Sequence, residues 1–93
     1  MVVGVLTLEI YLPESHSLKR KRFLLKGLKE RIRNKFNVSF SEIGYTDKWQ
    51  RSTLGAAVIT NETGYADRIL AKVVDHLNGN NNIELLDYSI EMR

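Results

Sequence analysis

The chain has 93 residues, 43% hydrophobic and 27% charged, with 14 lysines and arginines against 11 acids for a net charge of +3. That length holds one domain, 1–93, and the composition is too apolar for a disordered chain. The absence of cysteine excludes disulfide frameworks, thiolate zinc sites, iron–sulfur clusters and cysteine nucleophiles together.

The first strand spans Val2–Leu12. Leu6, Leu8, Ile10 and Leu12 alternate with Val5, Thr7, Glu9 and Tyr11, and Pro13 stops it because proline cannot donate to a ladder. The N-terminus enters this strand pattern directly, without the features of a secretory signal, and no apolar run approaches the roughly 18 residues of a membrane helix. The expected location is the cytoplasm. Ser15 or Ser17 caps a helix that begins at Leu18 and ends near 34–36. Its apolar stripe is Leu18, Leu25, Leu28, Ile32 and Phe36, with Leu24 alongside. Gly27 inside it costs roughly 1 kcal/mol against alanine.

A second strand follows over Val38–Tyr45. Ile43 and Tyr45 fall out of phase with Val38 and Phe40, which predicts a bulge or an early end. Thr46–Gln50 is a polar connection that carries the only tryptophan, Trp49. The third strand, Arg51–Thr60, is apolar on both alternations. It therefore reads as central, with its core face left open between Leu54, Ala56, Val58 and Gly55, Ala57, Ile59. Asn61 or Thr63 caps a second helix whose face is Ala66, Ile69, Leu70, Val73, Val74 and Leu77, and Gly79 is expected as a left-handed stop. After a turn at Asn80–Asn82, the last strand sets Leu86, Tyr88, Ile90 and Met92 against Asp87, Ser89 and Glu91.

Two strand–helix–strand units joined at a hairpin make the α+β, ferredoxin-like βαββαβ arrangement. Right-handed crossovers place both helices on one face of a four-stranded antiparallel sheet of order 4-1-3-2, with the second and fourth strands at the edges. This fold hosts enzymes, metal carriers, regulatory domains and RNA binders alike, so it names no function. The stacking aromatics of RNA-recognition motifs are missing from Arg51–Val58. The loop after the first strand lacks both the cysteines of metal carriers and the glycines of acylphosphatase-like enzymes or ACT modules. Ser15, His16 and Ser17 are adjacent in sequence, a poor arrangement for a nucleophile and its base. His76 reads as a favourable helix-end charge or a surface group. Glu9, Asp87 and Glu91 read as a solvated sheet face or dimer contact before a metal site. No catalytic residue, cofactor or metal site is assigned, and the chain reads as leaning away from an enzyme.

Charge supplies the physical lead. Nine basic residues lie between Lys19 and Lys35 against one acid, Glu30, for +8; five basic and ten acidic residues elsewhere give −5. Such bipolarity attracts a polyanion to one face of a nearly neutral molecule. On a helix, Lys19, Arg22, Lys26, Lys29 and Arg33 fall in one sector and span about 21 Å at 1.5 Å per residue, a row that fits several nucleic-acid phosphates. The competing reading is a solvated helix face. Phe23 lies almost opposite the apolar stripe and is a candidate stacking or partner contact. Trp49 either anchors the hairpin onto the sheet or meets a partner.

Several stretches carry a resemblance: Met1-Val2-Val3-Gly4-Val5-Leu6, Ser17-Leu18-Lys19-Arg20-Lys21-Arg22, Phe36-Asn37-Val38-Ser39, Asp47-Lys48-Trp49-Gln50-Arg51 and Glu84-Leu85-Leu86-Asp87. With them the chain resembles the YlxP-like family of small bacterial proteins over essentially its whole length. The resemblance implies a ferredoxin-like fold and, from the frequent placement of the family's genes near those for translation initiation factor two and a ribosome-binding factor, a role around translation or ribosome maturation. It supplies no catalytic residues. Where the family commonly has an acid and a further basic residue in the first helix, this chain has Arg20 and Phe23.

The leading expectation is a non-enzymatic accessory factor that binds structured, ribosomal RNA through Lys19, Arg22, Lys26, Lys29 and Arg33, without base-specific or DNA-specific readout and without a membrane. The alternative is a homodimeric protein-interaction or regulatory module that uses the sheet edges, Phe23 and Trp49.

Overall fold

Period-two alternation carries β1 (Val2–Tyr11) through the middle of the sheet: Leu6, Leu8, Ile10 and the following Leu12 are buried, and the residues between them are half-exposed. The computed structural model describes all residues, 1–93. Pro13 ends the strand just after Leu12, whose N–H still donates to the Gln50 carbonyl at 2.8 Å. Ser17 opens α1 (Leu18–Lys35), its hydroxyl accepting from the Arg20 N–H at 3.0 Å. Ser15 is buried and donates to the Ser17 carbonyl instead.

β2 (Ser39–Gly44) pairs antiparallel with β3 (Arg51–Thr60), and the expected irregularity lies between Glu42 and Gly44. There the extra residue, Ile43, swings over Gly55: a Cβ at Gly55 would sit 3.3 Å from its Cδ1. Ser52, Leu54, Ala56 and Val58 are buried, which decides the core face of β3. α2 (Thr63–Asn78) buries all six residues of its predicted face. β4 (Glu84–Met92) completes an antiparallel sheet of order β2-β3-β1-β4, the ferredoxin-like order expected.

Three local expectations are corrected. Neither Asn61 nor Thr63 caps α2. The helix starts at Thr63 itself, Glu62 occupies the cap position without a side-chain bond, and its N–H donates to the Thr60 hydroxyl at 3.3 Å. Gly79 ends α2 in the right-handed region, at φ −85°, because the chain runs on into a turn in which the Asn80 N–H donates to the Leu77 carbonyl. Leu86 and Tyr88 are exposed. Ile10 pairs with Leu85 and Glu9 with Asp87, so Leu86 is a bulge residue without a partner, and Leu85, Ile90 and Met92 pack against the core in its place.

One hydrophobic core lies between the sheet and the two helices. α2 sits so close to β1 that a Cβ at Gly4 would come within 2.9 Å of Leu70 Cδ1 and 3.1 Å of Ala66 Cβ. α1 contributes only Leu28 and Ile32 to the fully buried set, with Leu24, Leu25 and Phe36 at the margin. No helix is long and apolar enough to cross a membrane.

Candidate nucleic-acid interface

The basic row is laid out on α1 by helical spacing alone. Lys19, Arg22, Lys26 and Arg33 are exposed and Lys29 is half-buried. Arg22, Lys26 and Lys29 come together with Leu25, Phe40, Ser41, Glu42 and Leu54 around a groove of about 310 Å³ between α1 and the β2 edge. Lys19 and Arg33 extend the row beyond it at either end.

At its N-terminal end this charge distribution works against the helix that carries it, whereas Arg33 and Lys35 in the last turn suit the negative end of the dipole. The first turn holds no acid, although the positive end of the helix dipole disfavours cations there by about 0.3–1 kcal/mol each. Arg22 and Lys26, and Lys29 and Arg33, are like-charge pairs four residues apart, which are mildly destabilising. None of the five row residues lies within salt-bridge distance of a carboxylate; the molecule's ion pairs are Lys21–Glu42, Arg51–Glu9 and Arg93–Glu91. An anion laid along the row would relieve this repulsion.

Lys21 is the member of the basic segment that does not reach solvent. Its side chain is 1% exposed, and Nζ sits 2.7 Å from Glu42 Oε2 while donating to the Tyr45 carbonyl at 2.5 Å. The buried Ser52 hydroxyl donates to the same Glu42 oxygen at 2.6 Å. The cluster pins the first turn of α1 to β2 and β3. A sequence signal existed: Lys21 precedes Leu25 by four, Leu28 by seven and Ile32 by eleven, which places it on the apolar stripe. The other eight cations of α1 reach solvent.

At the end of the β2–β3 hairpin, Trp49 is 54% exposed, so it does not serve as a buried anchor for the hairpin. It lines an open depression of about 500 Å³ with Tyr45, Asp47, Lys48, Gln50 and Arg51. The Gln50 amide donates to the Pro13 carbonyl at 3.2 Å and ties this loop to the end of β1. Phe23 is 67% exposed on the far side of α1, with the Arg20 guanidinium 5.3 Å from its ring centre.

The outer sheet face is mixed rather than simply acidic. Glu9 accepts from the Thr53 hydroxyl at 2.8 Å and lies 3.6 Å from Arg51, and Glu91 pairs with Arg93 at 3.0 Å. Glu9, Asp87 and Glu91 therefore do not converge, and no group of three His, Asp or Glu side chains is gathered tightly enough to hold a metal ion. His76 packs edge-on against Phe36, their ring centres 6.0 Å apart. Burial first, then the charges of Lys35 and Arg31, hold its pKa below the usual histidine range. The lowered pKa weakens the helix-end charge, one of the two expected readings, and leaves the other, a half-buried surface group packed against Phe36.

Comparison with known proteins bears on the whole chain. A family described as "Protein of unknown function (DUF503)" matches residues 3–90. The uncharacterised protein YlxP of Bacillus subtilis (strain 168) is 37% identical over 83 residues, 89% of this chain and 90% of that protein. Among solved structures, the de novo designed protein Foldit4 is similar in fold at a TM-score of 0.56 and 12% identity, over 100% of this chain and 97% of that one. A REP-associated tyrosine transposase bound to a REP hairpin reaches a TM-score of only 0.46 at 10% identity, over 98% of this chain and 55% of that one.

Proposed function

This chain belongs to the DUF503 family of proteins of unknown function, and from that premise we propose that it is a non-enzymatic accessory factor of the cytoplasm that binds the phosphates of structured RNA through α1. The carrying observation is the row Lys19, Arg22, Lys26, Lys29 and Arg33, without a carboxylate partner on any member. A solvated structural helix gains nothing from five unpaired cations on one side, whereas a row about 21 Å long matches several consecutive phosphates. Ribosomal RNA is the substrate class we favour, because the genes of YlxP-like proteins often neighbour those of translation initiation and ribosome-binding factors. Readout is by shape and charge, since a row of cations alone shows no pattern of donors and acceptors that forms a base-reading code.

The test is an anisotropy titration of a short ribosomal RNA hairpin at several salt concentrations. Five phosphate contacts predict a slope of log affinity on log salt near −4, and Lys26→Glu with Lys29→Glu removes about two from its magnitude. Affinity insensitive to both salt and charge reversal would overturn the reading.

A second reading, the homodimeric interaction module, has its own observation. The outer sheet face is uncovered, with Ile59 66% and Ile43 59% exposed at separate places on it, and β2 and β4 are open edges. Light scattering separates the two: a stable dimer that does not bind RNA favours the module.

A further inference from the structure

We propose that the depression at the tip of the β2–β3 hairpin, formed by Tyr45, Trp49, Arg51, Lys48 and Asp47, is a stacking site for an unpaired nucleobase of the RNA whose phosphates α1 holds. The inference rests on the RNA reading and adds to it a ligand group and a second contact surface.

Four features of the hairpin support it. First, two aromatic residues four apart in the chain line one depression of about 500 Å³ and are left in solvent: Trp49 is 54% and Tyr45 46% exposed. Exposed rings offer flat apolar faces on which a base can stack, and every base has such a face. Second, the site is held in shape. Tyr45 is the only non-glycine residue with positive φ, at 56°, a conformation unfavourable for an aromatic residue. Its carbonyl accepts from the Lys48 N–H at 3.0 Å and from the buried Lys21 Nζ, and these two bonds fix the turn.

Third, the turn places the Tyr45 ring beneath the Arg51 guanidinium, 4.9 Å from Cζ. Arg51 is itself steered by Glu9, and its Nε is buried without a hydrogen-bond partner. A planar guanidinium layered on a ring prolongs a stack onto which a base fits. Fourth, the polar groups suit a nucleotide. Lys48 offers a cation to a flanking phosphate. Asp47 repels phosphate from the depression itself but accepts from the exocyclic amine of adenine, cytosine or guanine.

The site also lies on the path of the basic row. Glu42 lines the α1–β2 groove, and Tyr45 lies three residues further on, just past the bulge and the end of β2. Lys21 is bonded to both. An RNA strand leaving Arg22 along the β2 edge therefore meets the hairpin tip within a few nucleotides. A base locked in a continuous duplex cannot enter the depression, so the preferred RNA carries a bulged or single-stranded nucleotide beside a helical segment.

Trp49 is the only tryptophan, so its fluorescence reads occupancy directly. Three probes suffice: an RNA hairpin with one bulged adenosine, the same hairpin fully paired, and the same hairpin with an abasic bulge. The expected result is quenching by the bulged adenosine alone and affinity for that hairpin about tenfold or more above the other two. Trp49→Ala abolishes the difference while leaving the salt slope unchanged, and Trp49→Phe keeps most of it. Trp49 is exposed, so circular dichroism should show the fold intact in both variants. Salt-dependent binding of all three hairpins, with no change in Trp49 fluorescence and no effect of Trp49→Ala, would overturn the stacking site and leave phosphate binding by α1 standing. Failure to bind any hairpin would overturn both. Quenching that follows protein concentration without RNA would assign the rings to contact between copies of the chain and overturn the proposal as well.

Discussion

The two helices lie on the same face of the same sheet, yet the fold uses them differently. α2 buries six apolar residues and lies against β1 closely enough that Gly4 has no room for a methyl group. α1 is two residues longer and buries only two apolar residues fully, together with one lysine. Each buried Leu, Ile or Val contributes about 1.5–3 kcal/mol, so α2 carries much of the stability of the domain. α1 carries +8 and is held at its first turn by the Lys21–Glu42–Ser52 cluster. α1 buries few apolar residues and carries cations against the dipole in its first turn, a composition that fits the proposed contact with a polyanion better than a role in the core.

That contrast can be broken by substitution. The largest effect is expected in α2: Leu70→Ala should cost about 3 kcal/mol by urea denaturation, while Leu24→Ala in α1 costs about 1. Equal losses would show that both helices serve the core alike. Next comes the tether of α1. Lys21→Met leaves Glu42 without its cation and should cost about 2–3 kcal/mol, with Glu42→Gln in the same chain, which still accepts from Ser52, restoring part of the loss. A tether that is only an incidental surface pair would lose less than 0.5 kcal/mol. The smallest change has the opposite sign. A Cβ at Gly27 meets only the mobile end of Arg31, 3.2 Å away, so Gly27→Ala should stabilise by about 0.5–1 kcal/mol. It should also leave RNA affinity unchanged, because Gly27 lies off the basic row; altered affinity would show that RNA approaches α1 from the Phe23 side.

The candidate site divides along a similar line. The basic row was readable because helical spacing is local: a residue's place on the helix surface follows from its number once the helix is granted. Trp49 was readable as a candidate but not as an exposed one, since the path of the hairpin turn depends on Tyr45 taking a left-handed backbone and on Lys21 reaching its carbonyl. The pairing of Tyr45 with Arg51 joins residues on opposite sides of that turn and left no periodic trace.

The order of elements, the antiparallel 4-1-3-2 sheet, the buried faces of β1 and α2, and the segregation of charge onto α1 were all determined by the sequence itself, because periods of 2 and 3.6 and right-handed crossovers are properties of the local chain. The tertiary structure decided the rest. It chose which apolar alternation of β3 faces the core, made Leu86 a bulge residue through the register of β4 on β1, turned Lys21 from a surface charge into a buried tether, and lowered the His76 pKa by burying the ring and setting Lys35 and Arg31 around it. Each of these depends on what lies across the contact, and a strand or helix does not encode its neighbour's register, depth or charge in its own periodicity.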